Sequence, residues 1–126
     1  MKQTLSIAFL LLSTYLCAQS KDCSDVKNGK FKYLDSQSNE FIVKRTDSIQ
    51  IDSCLTKSLV FYSKIKWKSD CDYDMEIYKV SDSLFNPLIG NVFELNILSV
   101  ENNKIKLKSK TLNGKRESEN YMEIIE

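Results

Sequence analysis

Residues 65–74 read IKWKSDCDYD, and whether they form one strand or a corner between two decides the fold. A single strand from Ile65 to Val80 would run sixteen residues, where about five or six is usual. A break at Ser69-Asp70-Cys71 is therefore predicted, giving a hairpin with a loop of three to five residues. With a three-residue loop, Lys68 falls opposite Asp72, Lys66 opposite Asp74 and Lys64 opposite Glu76. Opposite-charge cross-strand pairs of this kind contribute a few tenths of a kcal/mol each. On the other face Trp67 meets Tyr73 and Ile65 meets Met75. A five-residue loop shifts the register and still sets lysines against acids.

Outward from this corner the chain alternates, and helical periodicity is nearly absent. From Leu59 to Lys68, Phe61, Ile65 and Trp67 share one side, while Tyr62, Lys64, Lys66 and Lys68 share the other. Such two-sided patterning marks antiparallel strands with one face on a core and one in water. Upstream, Phe41-Ile42-Val43 and the pair Ile49 and Ile51 form two runs split by Thr46-Asp47-Ser48. Met75, Ile77 and Tyr78 continue the strand after the corner. Phe93 to Val100, Asn102-Asn103, and Ile105 to Leu112 read as another hairpin, because Asn tolerates the left-handed backbone of tight turns. Asn113-Gly114 is a further turn signal, and Tyr121, Glu123 and Ile125 belong to a last strand. In "SDSLFNPLIG" (Ser81 to Gly90) the pattern predicts one helical turn capped by Ser or Asp and ended by Pro87.

About eight short consecutive strands with short connections give an all-β, antiparallel up-and-down meander. Closure into a small lipocalin-like barrel or half-barrel would hide its edges. The organisation expected is a signal peptide over residues 1–20 and one β-meander domain over residues 21–126. Lys2 supplies the positive start and Leu5 to Cys17 the apolar stretch of such a signal. Ala18-Gln19-Ser20 is a small-x-small cleavage site placing the mature start near Lys21, and a cut after Ala18 is the close alternative. The apolar run falls short of the roughly 18 to 20 residues a bilayer span needs. Thr14-Tyr15-Leu16 lacks the small residues that precede a lipidated cysteine, which argues against an anchor on Cys17. The expected location is therefore periplasmic or secreted.

The full chain of 126 residues carries 18 basic and 17 acidic side chains and no histidine. Losing Lys2 with the signal leaves equal numbers, so no long-range field draws the domain to nucleic acid or an anionic membrane. The stripe Lys104, Lys106, Lys108 and Lys110 reads as protection of an exposed strand against aggregation. The missing histidine removes Ser-His-Asp and Cys-His machinery and the common histidine-based zinc sites. With only three glycines there is no phosphate-cradling loop. Paired carboxylates could hydrolyse glycosides, but nothing in the sequence sets two in a cleft. No cofactor is expected.

Two chemical readings of the opening stretch compete with the hairpin. Asp70, Asp72, Asp74 and Glu76 alternate like the start of a calcium loop, yet Met75 stands where the loop needs Gly and Ser81 where it needs Glu. A salt-paired solvated face is the stronger reading, and no metal is expected. Cys71 has no histidine to activate it as a nucleophile. Cys23, Cys54 and Cys71 remain after cleavage, and one disulfide with one spare thiol fits an oxidising compartment. Three pairings are open; Cys23–Cys71 is favoured here because it would pin the new N-terminus to the hairpin, leaving Cys54 spare, half-buried and inert.

The mature chain resembles a group of small exported bacterial proteins of unknown function. The matching pieces are "CSDVKNGKFKY" (Cys23 to Tyr33), "RTDSIQ" (Arg45 to Gln50), "IKWKSDCDYDM" (Ile65 to Met75) and "IGNVFELNILSVENNKIKLKS" (Ile89 to Ser109). Members often carry a DNA topoisomerase IV label, although this chain has room for neither an ATPase nor a Toprim domain. The group holds a Cys near the mature start and one after the Trp, so the resemblance also implies Cys23–Cys71, and Cys54 departs from the pattern. It implies no catalytic residue. The function expected is that of a non-enzymatic exported domain binding a small apolar ligand or a partner protein. Phe61, Ile65, Trp67, Tyr73 and Met75 would line its interior. The alternative is a structural or interaction module of the cell envelope without a pocket.

Overall fold

The computed structural model describes residues 22–111 and 116–125. Among them eight strands follow one another: β1 (Gly29–Leu34), β2 (Glu40–Arg45), β3 (Ile49–Cys54), β4 (Leu59–Trp67), β5 (Asp72–Val80), β6 (Val92–Glu101), β7 (Lys104–Thr111) and β8 (Glu117–Ile124). Two 3₁₀ turns, Cys23–Val26 and Ser83–Leu88, complete the described elements. Each strand pairs antiparallel with the next, and β8 returns to β1 to close a barrel. The expected signal segment and the Asn113-Gly114 turn lie outside the described residues.

The β4–β5 corner has the register of a three-residue loop. Lys64 pairs with Glu76, Ile65 with Met75, Lys66 with Asp74 and Trp67 with Tyr73, and the Lys68 N–H donates to the Asp72 carbonyl at 2.8 Å. The ion pair that forms runs diagonally, from Lys68 to Asp74 at 3.0 Å, because long side chains reach the neighbour two residues along as well as the one opposite. The Trp67 and Tyr73 rings lie 4.5 Å apart. Register shifts at Tyr78 in β5 and at Leu98 in β6 each insert one extra residue. Bulges of this kind increase local twist, which helps a meander curl into a barrel.

Asn102 and Asn103 have φ of 51° and 62°, so the two-residue turn between β6 and β7 is left-handed at both positions. An L residue with a Cβ pays roughly 1–2 kcal/mol there, and Asn pays less because its side chain bonds locally. Asn103→Ala is accordingly expected to lower unfolding stability by about 1 kcal/mol and Asn103→Gly to leave it nearly unchanged. Urea denaturation of the two variants distinguishes these outcomes.

Pro87 does not end its turn but lies inside it. The segment is two successive tight turns, closed by the Phe85 N–H on the Asp82 carbonyl and the Ile89 N–H on the Asn86 carbonyl, both at 3.0 Å. Pro87 is the second residue of the later turn, where φ near −65° is favourable and no N–H is needed. Asp82 caps the first by accepting from the Leu84 N–H at 2.9 Å.

Most of the buried side chains inside the barrel are apolar, while the lysines and acids of β7 and β8 lie on its outer face. The lysine stripe of β7 faces acids across β8. Lys104 is opposite Glu123, Lys108 opposite Glu119 and Lys110 opposite Glu117, and ion pairs join Lys106 to Glu119 and Lys108 to Glu117. No helix among the described residues is long and apolar enough to cross a membrane.

The two ends of the barrel differ. At one end the 3₁₀ turn Cys23–Val26 is a plug. Val26 is buried among Phe31, Val43, Ile65, Ile97 and Ile105, and Cys23 is disulfide-bonded to Cys71 in the β4–β5 loop. Such a bond persists in oxidising compartments. The Trp67 indole N–H donates to the Asp47 carbonyl at 3.1 Å, with the Lys27 ammonium 5.0 Å from its ring centroid. The other end is half filled. Phe41, Cys54 and Leu59 pack with Phe61 and Phe85 under the second 3₁₀ turn, and among the described residues the rest is unfilled.

The closing seam is short. Although β1 and β8 span six and eight residues, they pair only at Phe31–Ile124 and Lys32–Glu123. A further bond from the Ile125 N–H to the Lys30 carbonyl (2.9 Å) lies on the plugged side. Towards the open end the strands diverge, and Lys32, Tyr33, Leu34, Tyr121 and Met122 border the resulting groove.

Candidate ligand-binding site

Strand β3 presents its polar residues to the interior. The isoleucines that mark it in the sequence, Ile49 and Ile51, lie on the outer face, while Gln50, Asp52 and Cys54 face inward. The reason is β2. Phe41, Val43 and Arg45 share its inner face, and Arg45 pairs directly with Gln50 across the turn, so inward Arg45 makes Gln50 and then Asp52 inward too. Arg45, Gln50 and Asp52 are 3%, 4% and 7% exposed, a set of burials tolerated only because every group has a partner.

The partners form one chain of hydrogen bonds. Arg45 Nε donates to Gln50 Oε1 at 3.0 Å, Nη1 to the Val26 carbonyl at 2.9 Å and Nη2 to the Tyr73 hydroxyl at 3.2 Å. Gln50 Nε2 donates to Asp52 Oδ1 at 2.8 Å, and the Tyr33 hydroxyl donates to Asp52 Oδ2 at 2.9 Å. The guanidinium carbon lies 4.9 Å from the Phe31 ring centroid and 5.1 Å from that of Tyr73, contacts that desolvation strengthens. Asp52 accepts on both oxygens, as an ionised carboxylate does. Burial nevertheless pushes its pKa above the ordinary value, against the bonds from Gln50 and Tyr33 and the charge of Arg45. Burial also raises the Tyr33 and Tyr73 hydroxyls, and the nearby Asp52 charge adds to both.

Above this polar floor lies a cavity of about 190 Å³. Tyr33, Gln50, Asp52 and Tyr73 form its base, Met75, Phe93, Leu95, Leu107 and Met122 its walls, and Ser109 and Asn120 are the further polar lining. An outer cleft bordered by Asp35, Ser36 and Arg116 shares Tyr33, Phe93, Ser109 and Asn120 with it, giving the cavity its mouth at the open end. The arrangement is that of a small-molecule pocket, mostly apolar with a few convergent polar groups.

Of the five residues expected to line the interior, Tyr73 and Met75 border this cavity. Phe61 belongs to the aromatic fill, edge-on to Phe85 at 5.8 Å. Ile65 lies in the core beside the plug, and Trp67 packs on its margin. The acids of the opening stretch are scattered: Asp70 pairs with Lys27 at 3.0 Å, Asp72 accepts from Ser69 at 2.6 Å and from Asn96, and Asp74 pairs with Lys68. Among the described residues no three His, Cys, Asp or Glu side chains converge as metal ligands. Cys54 is a free thiol, buried rather than half-buried. Its sulfur is 3.4 Å from Thr56 Oγ1, the contact chiefly responsible for holding its pKa below the ordinary value.

Sequence reasoning missed Arg45, Gln50 and Asp52. The available signal was strand parity: Phe41, Val43 and Arg45 alternate, and a three- to four-residue turn carries that face to Gln50 and Asp52. No family model, no curated protein and no solved structure matches this chain.

Proposed function

We propose that this chain is an exported, non-enzymatic binding protein that takes a small apolar ligand into the open half of its barrel, much as lipocalins use theirs. The observation that carries this reading is the cavity of about 190 Å³ walled by Met75, Phe93, Leu95, Leu107 and Met122. Export is supported by the signal-like segment before Lys21 and by the Cys23–Cys71 bond. A binding rather than a catalytic role is supported by the hydrogen-bonded chain that runs from Arg45 through Gln50 to Asp52 and Tyr33, since these buried polar groups are engaged with neighbours rather than set as a nucleophile and its base.

The three methionines are Met1, Met75 and Met122, and the last two both wall the cavity. Protein labelled with ¹³C at the methionine methyls therefore carries its own reporters. Titration with toluene or indole should shift both signals saturably. A filling variant, Leu95→Trp, should abolish the shifts while the protein remains folded. Methyl signals that stay unmoved across such a set up to solubility would reject the reading.

A further inference from the structure

We infer that the ligand of this cavity is a compact, uncharged molecule of about one ring that carries a hydroxyl or amide group, whose donor it sets against Asp52. The inference rests on the binding role proposed above and adds the chemistry of the head group.

Size comes first. An apolar cavity of about 150 Å³ accommodates one benzene ring, so about 190 Å³ takes a ring with one or two further heavy atoms. Long acyl chains and haem are too large to be enclosed here.

The floor then selects the head. Asp52 borders the cavity, and each of its oxygens accepts one hydrogen bond, leaving a second lone pair on each for a donor. Tyr73 also borders the cavity, but it is fully buried and its hydroxyl is turned to Arg45, so Asp52 is the group left to meet a head. The base of the pocket thus offers an acceptor, which the donor of a hydroxyl or an amide satisfies.

Anionic heads fit badly. Arg45 does not border the cavity, its three nitrogens all donate within the protein, and Gln50 and Asp52 stand on its cavity side. A carboxylate set on the floor of the pocket meets the Asp52 carboxylate, and among the described residues no Lys or Arg lines the cavity itself; an unpaired buried charge is costly. A cationic head could pair with Asp52, but Asp52 is already balanced by Arg45 through Gln50, so the pocket would gain a net charge between apolar walls.

The test compares four ligands of one shape: toluene, benzyl alcohol, benzoate and benzylamine, each titrated against the two methionine methyl signals. A cavity without a polar floor binds toluene at least about tenfold tighter than benzyl alcohol, since the alcohol must shed its water without recompense. Here benzyl alcohol is expected to bind at least as tightly as toluene, and at least about tenfold tighter than benzoate or benzylamine. Toluene tighter than benzyl alcohol by tenfold, or either charged ligand equal to it, overturns the inference while leaving the binding role standing. No saturable shift from any of the four, toluene included, removes both.

Discussion

Arg45→Ala is expected to destabilise the protein by about 3–5 kcal/mol, the usual cost of removing one partner from a buried charged network. The substitution strands three groups at once: Gln50 Oε1, the Val26 carbonyl and the Tyr73 hydroxyl each lose their donor, and Asp52 loses the charge that offsets its burial. A surface cation such as Lys68, paired with Asp74 in solvent, should cost under about 1 kcal/mol when truncated. The loss at Arg45 should also depend on pH. The Asp52 pKa is raised on folding, so between its unfolded and folded values the native state holds more protons than the unfolded chain. Stability is then lost as pH rises through that window. Removing Arg45 raises the folded value further, so the part of the deficit due to Asp52 is expected to shrink on acidification from pH 7 to pH 4, while the part due to the three stranded groups persists. Asp52→Asn added to Arg45→Ala should restore more than about 1 kcal/mol at pH 7, because the stranded charge disappears. Urea denaturation at both pH values measures this. A deficit below 1 kcal/mol at pH 7, or one that grows on acidification, would show that Arg45 does not bear the role given to it.

Removing the disulfide is expected to have an effect of the same size. A bridge across 48 residues contributes about 4 kcal/mol in the chain-entropy model. Cys23→Ala with Cys71→Ala should therefore lower the unfolding free energy by about that amount. The bridge also holds the plug whose Val26 carbonyl accepts from Arg45. The two perturbations share a partner, so their costs should not add: Arg45→Ala should cost measurably less without the disulfide than with it. Strict additivity would mean that the plug keeps its place without its staple.

The fold was legible because its information is local. The spacing of Lys64, Lys66 and Lys68 against Asp72, Asp74 and Glu76 marks the corner, and Asn102-Asn103 marks the second hairpin. Each feature fixes a register by itself, and short loops compel the meander. The pocket was less legible because its floor is a matter of which face of β3 turns inward. Two isoleucines suggest one answer; the parity of β2, ending on Arg45, imposes the other. Of the residues expected inside, Tyr73 and Met75 border the cavity, while Phe61, Ile65 and Trp67 belong to packed clusters. Which of them meet empty space was not readable, since the void depends on Phe85 filling one half of the open end and no described residue filling the other. That is a property of tertiary packing, and no run of residues encodes it.

The short seam between β1 and β8 gives the barrel a preferred line of parting. Every other strand boundary is held by five or more residue pairs, and this one by two, with the Lys32–Glu123 ion pair (3.6 Å) outside. The foot of β1 is anchored beside the stapled plug, while its upper end, at Tyr33 and Leu34, borders the pocket. The same upper end of β1 stays tied to β2 through Tyr33–Phe41 and Leu34–Glu40, and the Tyr33 hydroxyl is bonded to Asp52. In mechanical terms the barrel has one weak stave joint, and that joint runs beside the pocket wall at Tyr33 and Met122.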